Sequence, residues 1–272
     1  MAMGFTRDAM GRLRAMPAPA ILGIVIILGV SAISALAPYV AGIDPTKSSL
    51  FFLAPPSAQN WFGTDDLGRD IYSRVVHGGR SSLLVGIGAA MIATLIGVPV
   101  GLAAGYMGGR VDVAAAQFIN MFIALPGLVL ALMITAMIGA TLTNLMIVLG
   151  VVTWPRVARL VRGQALEIRE ALYVEAARAA GGRAAWIIRK HVLPNAMRVI
   201  AAQFALSVAY AIFTSASLSF LGLGVPPPTP DWGGMVRGGL DYLALNPMMS
   251  LAPSCAVALT VLGFYALGSS IK

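Results

Sequence analysis

The sequence predicts an all-α polytopic membrane protein with six transmembrane helices. Hydrophobic residues make up 58% of the chain and charged residues only 11%, against about 25% charged in a soluble domain. Mean hydropathy is +0.83, so the chain has too few charges to keep a soluble surface wet. The charges it has fall into short stretches between long uncharged runs, the pattern of spans and loops. The net charge of +8 belongs to those loops, as the positive-inside rule expects, and does not call for nucleic acid. Cys255 is the single cysteine, and His77 and His191 are far apart. That excludes a disulfide framework and makes a metal site of Cys or His type a poor reading.

The first apolar run, 18–40, follows a basic stretch with Arg7, Arg12 and Arg14. It exceeds the roughly 7–15 apolar residues of a signal peptide and is read as an uncleaved first helix. Residues 44–80 form a polar excursion that includes FGTDDLGRDIYSRVVHGGR. Thr64 or Asp65 is placed to cap a short helix there. Leu67, Ile71, Tyr72, Val75 and Val76 fall on one face of it, and Asp66, Arg69, Asp70 and Arg74 mostly elsewhere. The expected element is an interfacial helix whose charges either pair locally or dock a partner. The second span, 83–106, carries Gly97, Gly101 and Gly105 at four-residue spacing, which suits close helix packing in lipid.

Residues 113–155 are uncharged for 43 positions, enough for two helices with a break at 139–144. The third span, 117–138, contains Pro126-Gly127, read as a kink that either packs or lines a pathway. The fourth span, 145–158, meets Arg156 at its cytoplasmic end. The fifth begins after Arg198 and stops near Leu223, because Pro226 to Pro228 cannot continue a helix. An external loop, 225–245, carries Asp231 and Trp232, and the sixth span is 249–267. With the N-terminus inside, 14 of the 19 basic residues lie on the cytoplasmic side and 5 outside.

Nine of those basic residues lie between Arg156 and Arg198. Within this island, 162–180 has good helix formers and no proline. Gly181-Gly182 stops the helix. A second helix from about Arg183 sets Ala184, Ile187, Ile188, His191 and Val192 on one apolar stripe, and Pro194 ends it. The product is a helix–glycine–helix hairpin in the cytoplasm. It suits either a knob inserted into a groove of another protein or a hairpin lying on anionic lipid.

The order Glu175-Ala176-Ala177, Gly181 and His191-Val192-Leu193-Pro194 resembles the EAA loop of ABC importer permeases. Its form, YVEAARA…G…RKHVLPN, is similar to the permeases for dipeptides, oligopeptides and nickel. FGTDDLGRD, GYMGG, WPRVARLVRG, LSFLGLGVPPPTPDWG and LTVLGF match the second, C-type subunit of that family, and the resemblance covers roughly residues 20–268.

The resemblance implies a cytoplasmic N-terminus and first helix over 1–43 and an external loop over 44–80. It implies a five-helix type I permease core over 81–272, with the coupling loop at 163–195. It assigns ATPase coupling to Tyr173, Glu175, Ala176, Ala177, Gly181, His191, Leu193 and Pro194. An external solute-binding protein would dock on loops 44–80 and 225–245, with Asp65, Asp66, Arg69, Asp70, Asp231 and Trp232 as candidate contacts. Pro126, Ser215 and Ser217 are the candidate pathway-lining residues. The expected partners are a homologous second permease subunit, two ATP-binding subunits and the lipid bilayer, in a bacterial inner membrane with both termini cytoplasmic. The chain has no G-x-x-x-x-G-K-[ST] phosphate loop, so no cofactor is expected in it. ATP and Mg would be held by the partner ATPases, and the chain itself is not an enzyme.

The cargo stays open between peptides, nickel chelates and glutathione-like compounds. Gln117, Asn120, Ser215, Tyr265 and Ser269 depart from the polar or charged residues expected at their positions. A stand-alone channel or secondary transporter would need ionisable residues inside the spans, and a membrane-embedded enzyme would need a catalytic cluster. Neither is visible in the sequence.

Overall fold

The computed structural model describes residues 17–271. The basic N-terminal stretch with Arg7, Arg12 and Arg14, and Lys272, lie outside them. The described residues are helical with no strands, apart from an isolated bridge between Thr64 and Asp70. In chain order the helices are α1 (Ala18–Ala35), α2 (Ala37–Ala41), α3 (Ile71–Met107), α4 (Gly109–Ala124), α5 (Gly127–Ile138) and α6 (Leu142–Arg169). They continue with α7 (Leu172–Ala179), α8 (Ala184–Ile187), α9 (Leu193–Leu218), α10 (Trp232–Gly239) and α11 (Met248–Ser270). Five helical stretches are long and apolar enough to cross a membrane. A sixth span exists only if α4 and α5, bent by 80°, are taken together.

The glycine ladder of α3 does what its spacing predicts. A Cβ at Gly97, Gly101 or Gly105 would stand 2.8, 2.6 and 2.5 Å from the carbonyl oxygens of Trp154, Ala158 and Arg162. The four-residue steps therefore match on both helices, and α3 lies backbone to backbone along α6. On the other side, Gly86 receives Ile212 of α9. The α1 helix packs on α11, where a Cβ on Gly23 would meet the Gly263 carbonyl at 2.6 Å.

Several expectations are corrected. No short interfacial helix forms at 64–76. Asp70, not Thr64 or Asp65, is the N-cap, its Oδ2 accepting from Ser73 N at 2.7 Å, and α3 runs unbroken from Ile71. Asp65 instead closes a turn by accepting from Leu67 N and Arg69 N. Gly78 and Gly79 lie inside α3, where the Trp232 indole packs against them. Pro126 produces a break rather than a kink, since Leu125 is extended at φ −88°, ψ 136°, as the residue before a proline prefers. The fourth helix passes Ala158 and continues to Arg169. The helix expected over 162–180 is interrupted at Glu170-Ala171.

Pro194 does not end a helix. A π-helical turn, Ile188–Val192, shifts the register so that Leu193 N donates to the Ile188 carbonyl. Pro194 then falls in the first turn of α9, where a missing N–H is tolerated. The fifth span does stop at Leu223, after Gly222 turns with φ +90°.

Candidate coupling hairpin, external cap and pathway

The hairpin is anchored through three apolar side chains. Val174 of α7, Ile187 of α8 and Val192 are fully buried against Val161, Ala165 and Ile168 of α6 and Ala196 of α9. Between the two arms, Gly182 N donates to the Ala177 carbonyl and Gly181 N to the Arg178 carbonyl, both at 3.0 Å. This is a Schellman closure, and it needs the left-handed φ of +83° at Gly181. A Cβ at Gly181 would touch nothing within 4 Å, whereas one at Gly182 would meet the Ala177 carbonyl at 2.8 Å. Gly181 is thus required for its conformation and Gly182, expected only as part of the helix stop, for its size.

The outer surface of the hairpin is unpartnered within the chain. Glu175 and Ala176 are exposed, and Ala177 is half-buried. Tyr173 is 46% and Leu172 82% exposed. The His191 ring, half-buried, sits edge-on to Trp186 at 5.1 Å and 6.3 Å from Tyr173. Trp186 is a surface residue that the apolar stripe did not include. Leu193 is half-buried and Pro194 exposed beside it.

The cap at the other end of the helices, expected to be external, has the opposite character. Asp65 is buried, with Arg69 Nε at 2.7 Å and Arg74 Nε at 3.6 Å from its Oδ2. Arg74 also donates to the Pro45 carbonyl. Arg80 holds the end of α1 through the Ser34 and Ala35 carbonyls, each at 2.7 Å. Asp231 caps α10 by accepting from Gly234 N at 2.9 Å. Trp232 is 2% exposed and donates Nε1–H to the Val75 carbonyl at 2.8 Å. Burial pushes the carboxyls of Asp70 and Asp231 above the usual carboxylate range. Four of the six residues expected to dock a binding protein, Asp65, Asp70, Asp231 and Trp232, are therefore inside the fold. They cap helices, hold arginines or fill the space beside α3. Asp66 is exposed and Arg69 partly so. Both line a cleft of about 430 Å³ that also contains Arg237 and reaches the edges of Asp65 and Asp231.

Among the candidate pathway residues, Pro126 is exposed at the 80° break. Ser215 is 4% exposed, packed within the chain and lining no open surface. Ser217 is half-buried and donates to the Phe213 carbonyl of its own helix at 2.9 Å. Gln117, Asn120, Tyr265 and Ser269 are all exposed. Asn120 accepts from Arg159 Nη2 at 2.7 Å. Arg156 was read as the cytoplasmic end of a span, yet α6 continues thirteen residues beyond it, to Arg169. Its Cζ lies 4.2 Å from the centroid of the Tyr210 ring on α9.

Residues 97–271 match the family described as Binding-protein-dependent transport system inner membrane component. The chain belongs to this permease family. Its relatives extend the match across the external cap. The permease is 38% identical to the Dipeptide transport system permease protein DppC of Bacillus subtilis, over 99% of this chain and 85% of that protein. It is 36% identical to the Oligopeptide transport system permease protein OppC of the same organism, over 98% of this chain and 87% of that one. It is also 38% identical to the Glutathione transport system permease protein GsiD of Pectobacterium atrosepticum, over 80% and 72%. A solved structure of the inward-facing MetNI methionine ABC transporter shares the fold. Its TM-score is 0.62 at 22% identity, covering 72% of this permease and 93% of that chain.

Proposed function

We propose that this permease is the C-type subunit of an ATP-driven ABC importer for di- or oligopeptides, placed in a bacterial inner membrane with both termini cytoplasmic. The observation that carries the reading is the cytoplasmic hairpin. It has a buried anchor, a rigid glycine elbow and an unpartnered outer face bearing Glu175, at the junction of the two long helices α6 and α9. Two separate ATP-binding subunits hold ATP and Mg and receive this hairpin in a groove. A homologous second permease completes the pathway, and a solute-binding protein approaches the external side near the 430 Å³ cleft. Closure of the ATPase pair pushes on the hairpin, and the push reaches α6 and α9 because Val174, Ile187 and Val192 are packed between them. The switch between inward- and outward-facing states can be driven only by as much as the contacts differ between the two states. Identity to both dipeptide and oligopeptide permeases over nearly the whole chain supports peptides as cargo.

The test is the complete transporter in liposomes with external binding protein and internal ATP. Gly181→Asp, strained at a φ of +83° and charged at the elbow, is expected to lower peptide uptake more than ten-fold while the protein still inserts. Normal uptake and normal ATPase association by that variant would sink the coupling assignment. Active, ATP-independent transport by the chain alone would remove the importer reading altogether.

A further inference from the structure

Three arginines step along α6 at three-residue intervals, and their compensation weakens away from the cytoplasm. Arg162 pairs with the carboxylate of Asp112 on α4. Arg159 has only the neutral amide of Asn120. Arg156 has only the face of Tyr210. Among the described residues, no acidic side chain lies within 4.0 Å of Arg159 or Arg156.

Arg156 is 14 residues from the outer end of α6. That is about 21 Å along a helix, within a hydrocarbon core about 30 Å thick. Arg156 is exposed in this chain, and a guanidinium within a span faces the bundle interior or a water-filled cavity rather than lipid. Its surroundings are polar as well. At the break between α4 and α5, Pro126 is exposed and α5 starts without a side-chain cap. Irregular backbone at membrane depth is tolerated where it is buried in protein or lines a water-filled cavity. A Cβ on Gly127 would stand 2.9 Å from the Tyr210 hydroxyl and 3.5 Å from Arg156 Nη2. Guanidinium, phenol and elbow therefore converge on one spot of the chain's open face.

We propose that Arg156, with Tyr210 and the Pro126-Gly127 elbow, forms an anion subsite in the translocation pathway. It takes the carboxylate of a passing peptide, and Arg159 one turn below supplies the next positive charge. The subsite rests on the importer reading. The counter-charge it lacks is the one group that every unblocked peptide brings. The phospholipid headgroups, the other abundant anions, stay at the interface.

The test uses the whole transporter, with both permease subunits, the ATPases and the binding protein, in liposomes. The probe is the dipeptide Ala-Ala, and the readout is uptake per ATP hydrolysed. Arg156→Gln is expected to lower this ratio at least ten-fold while the subunits still co-purify. Arg156→Lys, which keeps the charge, is expected to stay within about three-fold of the wild type. An unchanged ratio in Arg156→Gln overturns the subsite. So does loss of the second permease subunit from that variant, because Arg156 would then be a subunit contact. If the wild-type complex assembles and hydrolyses ATP but imports no peptide, the peptide reading fails and the subsite falls with it.

Discussion

The two ends of this permease handle charge in opposite ways. In the cap, Asp65, Asp70, Asp231, Arg74 and Arg80 are committed to partners within the chain, and Trp232, the first residue of α10, is sunk against α3. On the hairpin, Glu175, Tyr173, Leu172 and Trp186 are presented outward with few internal contacts. The cap network holds the polar loop 42–70 over the helix ends, and the hairpin offers a surface. Charged residues in two loops of one protein are thus placed differently, and burial separates them.

The contrast can be broken first at Trp232. Replacing it with alanine empties a large buried site, and about 3–5 kcal/mol of stability should be lost. A thermal melt of the detergent-solubilised protein reads this, and an unchanged Tm would mean that the cap is not a packed unit. Asp65→Ala leaves the Arg69 and Arg74 side chains facing a buried gap. A loss of about 3 kcal/mol is expected, as when one partner of a buried pair is removed. The same melt checks it, with Arg69→Ala as the milder comparison.

Asp231 sharpens the contrast further, because its charge and its cap oppose each other. Its folded pKa is raised by burial. The contribution of its titration is therefore fully present below the unfolded value, about 3.9, and is lost as pH rises through the folded value. Asp231→Asn should be at least as stable as the parent at neutral pH, with a flatter stability–pH curve. Asp231→Ala should lose about 1 kcal/mol with the cap. The smallest stability effect is expected at the other end. Glu175→Gln should move stability by less than about 0.5 kcal/mol while lowering peptide uptake in liposomes. A destabilised Glu175→Gln would show that the hairpin, like the cap, is held together by its charges.

Much of this was legible from local pattern. The uncharged runs located the helices, the Gly97–Gly101–Gly105 spacing marked a close-packing face without naming its partner, and Gly181 gave the elbow. These features depend on residues close in sequence. The burial of Asp65, Asp70, Asp231 and Trp232 depends on residues far apart, since Trp232 bonds to Val75 and Asn246 reaches the Ala54, Phe62 and Thr64 carbonyls. Periodicity cannot report such contacts, so acids in a polar loop read as free surface. The fourth helix runs past its expected end at Ala158 for a different reason. Hydropathy ends where charge begins, but a helix that is packed along one side continues past its first arginine. The broken span at Pro126 follows the same logic, because composition does not distinguish a kink from an 80° turn.

The π-helical turn at Ile188–Val192 gives the hairpin an address written in residue count. Each residue advances an α-helix by about 100°, and a single-turn π-bulge holds one residue more than the regular ladder. The compass direction in which the Gly181 elbow leaves the axis of α9 is thus set by one extra position. Deleting a single residue from 188–192 would rotate the elbow by roughly a quarter-turn without removing any of its side chains. The elbow would face the wrong neighbour, and Ile187 would leave its seat against α6.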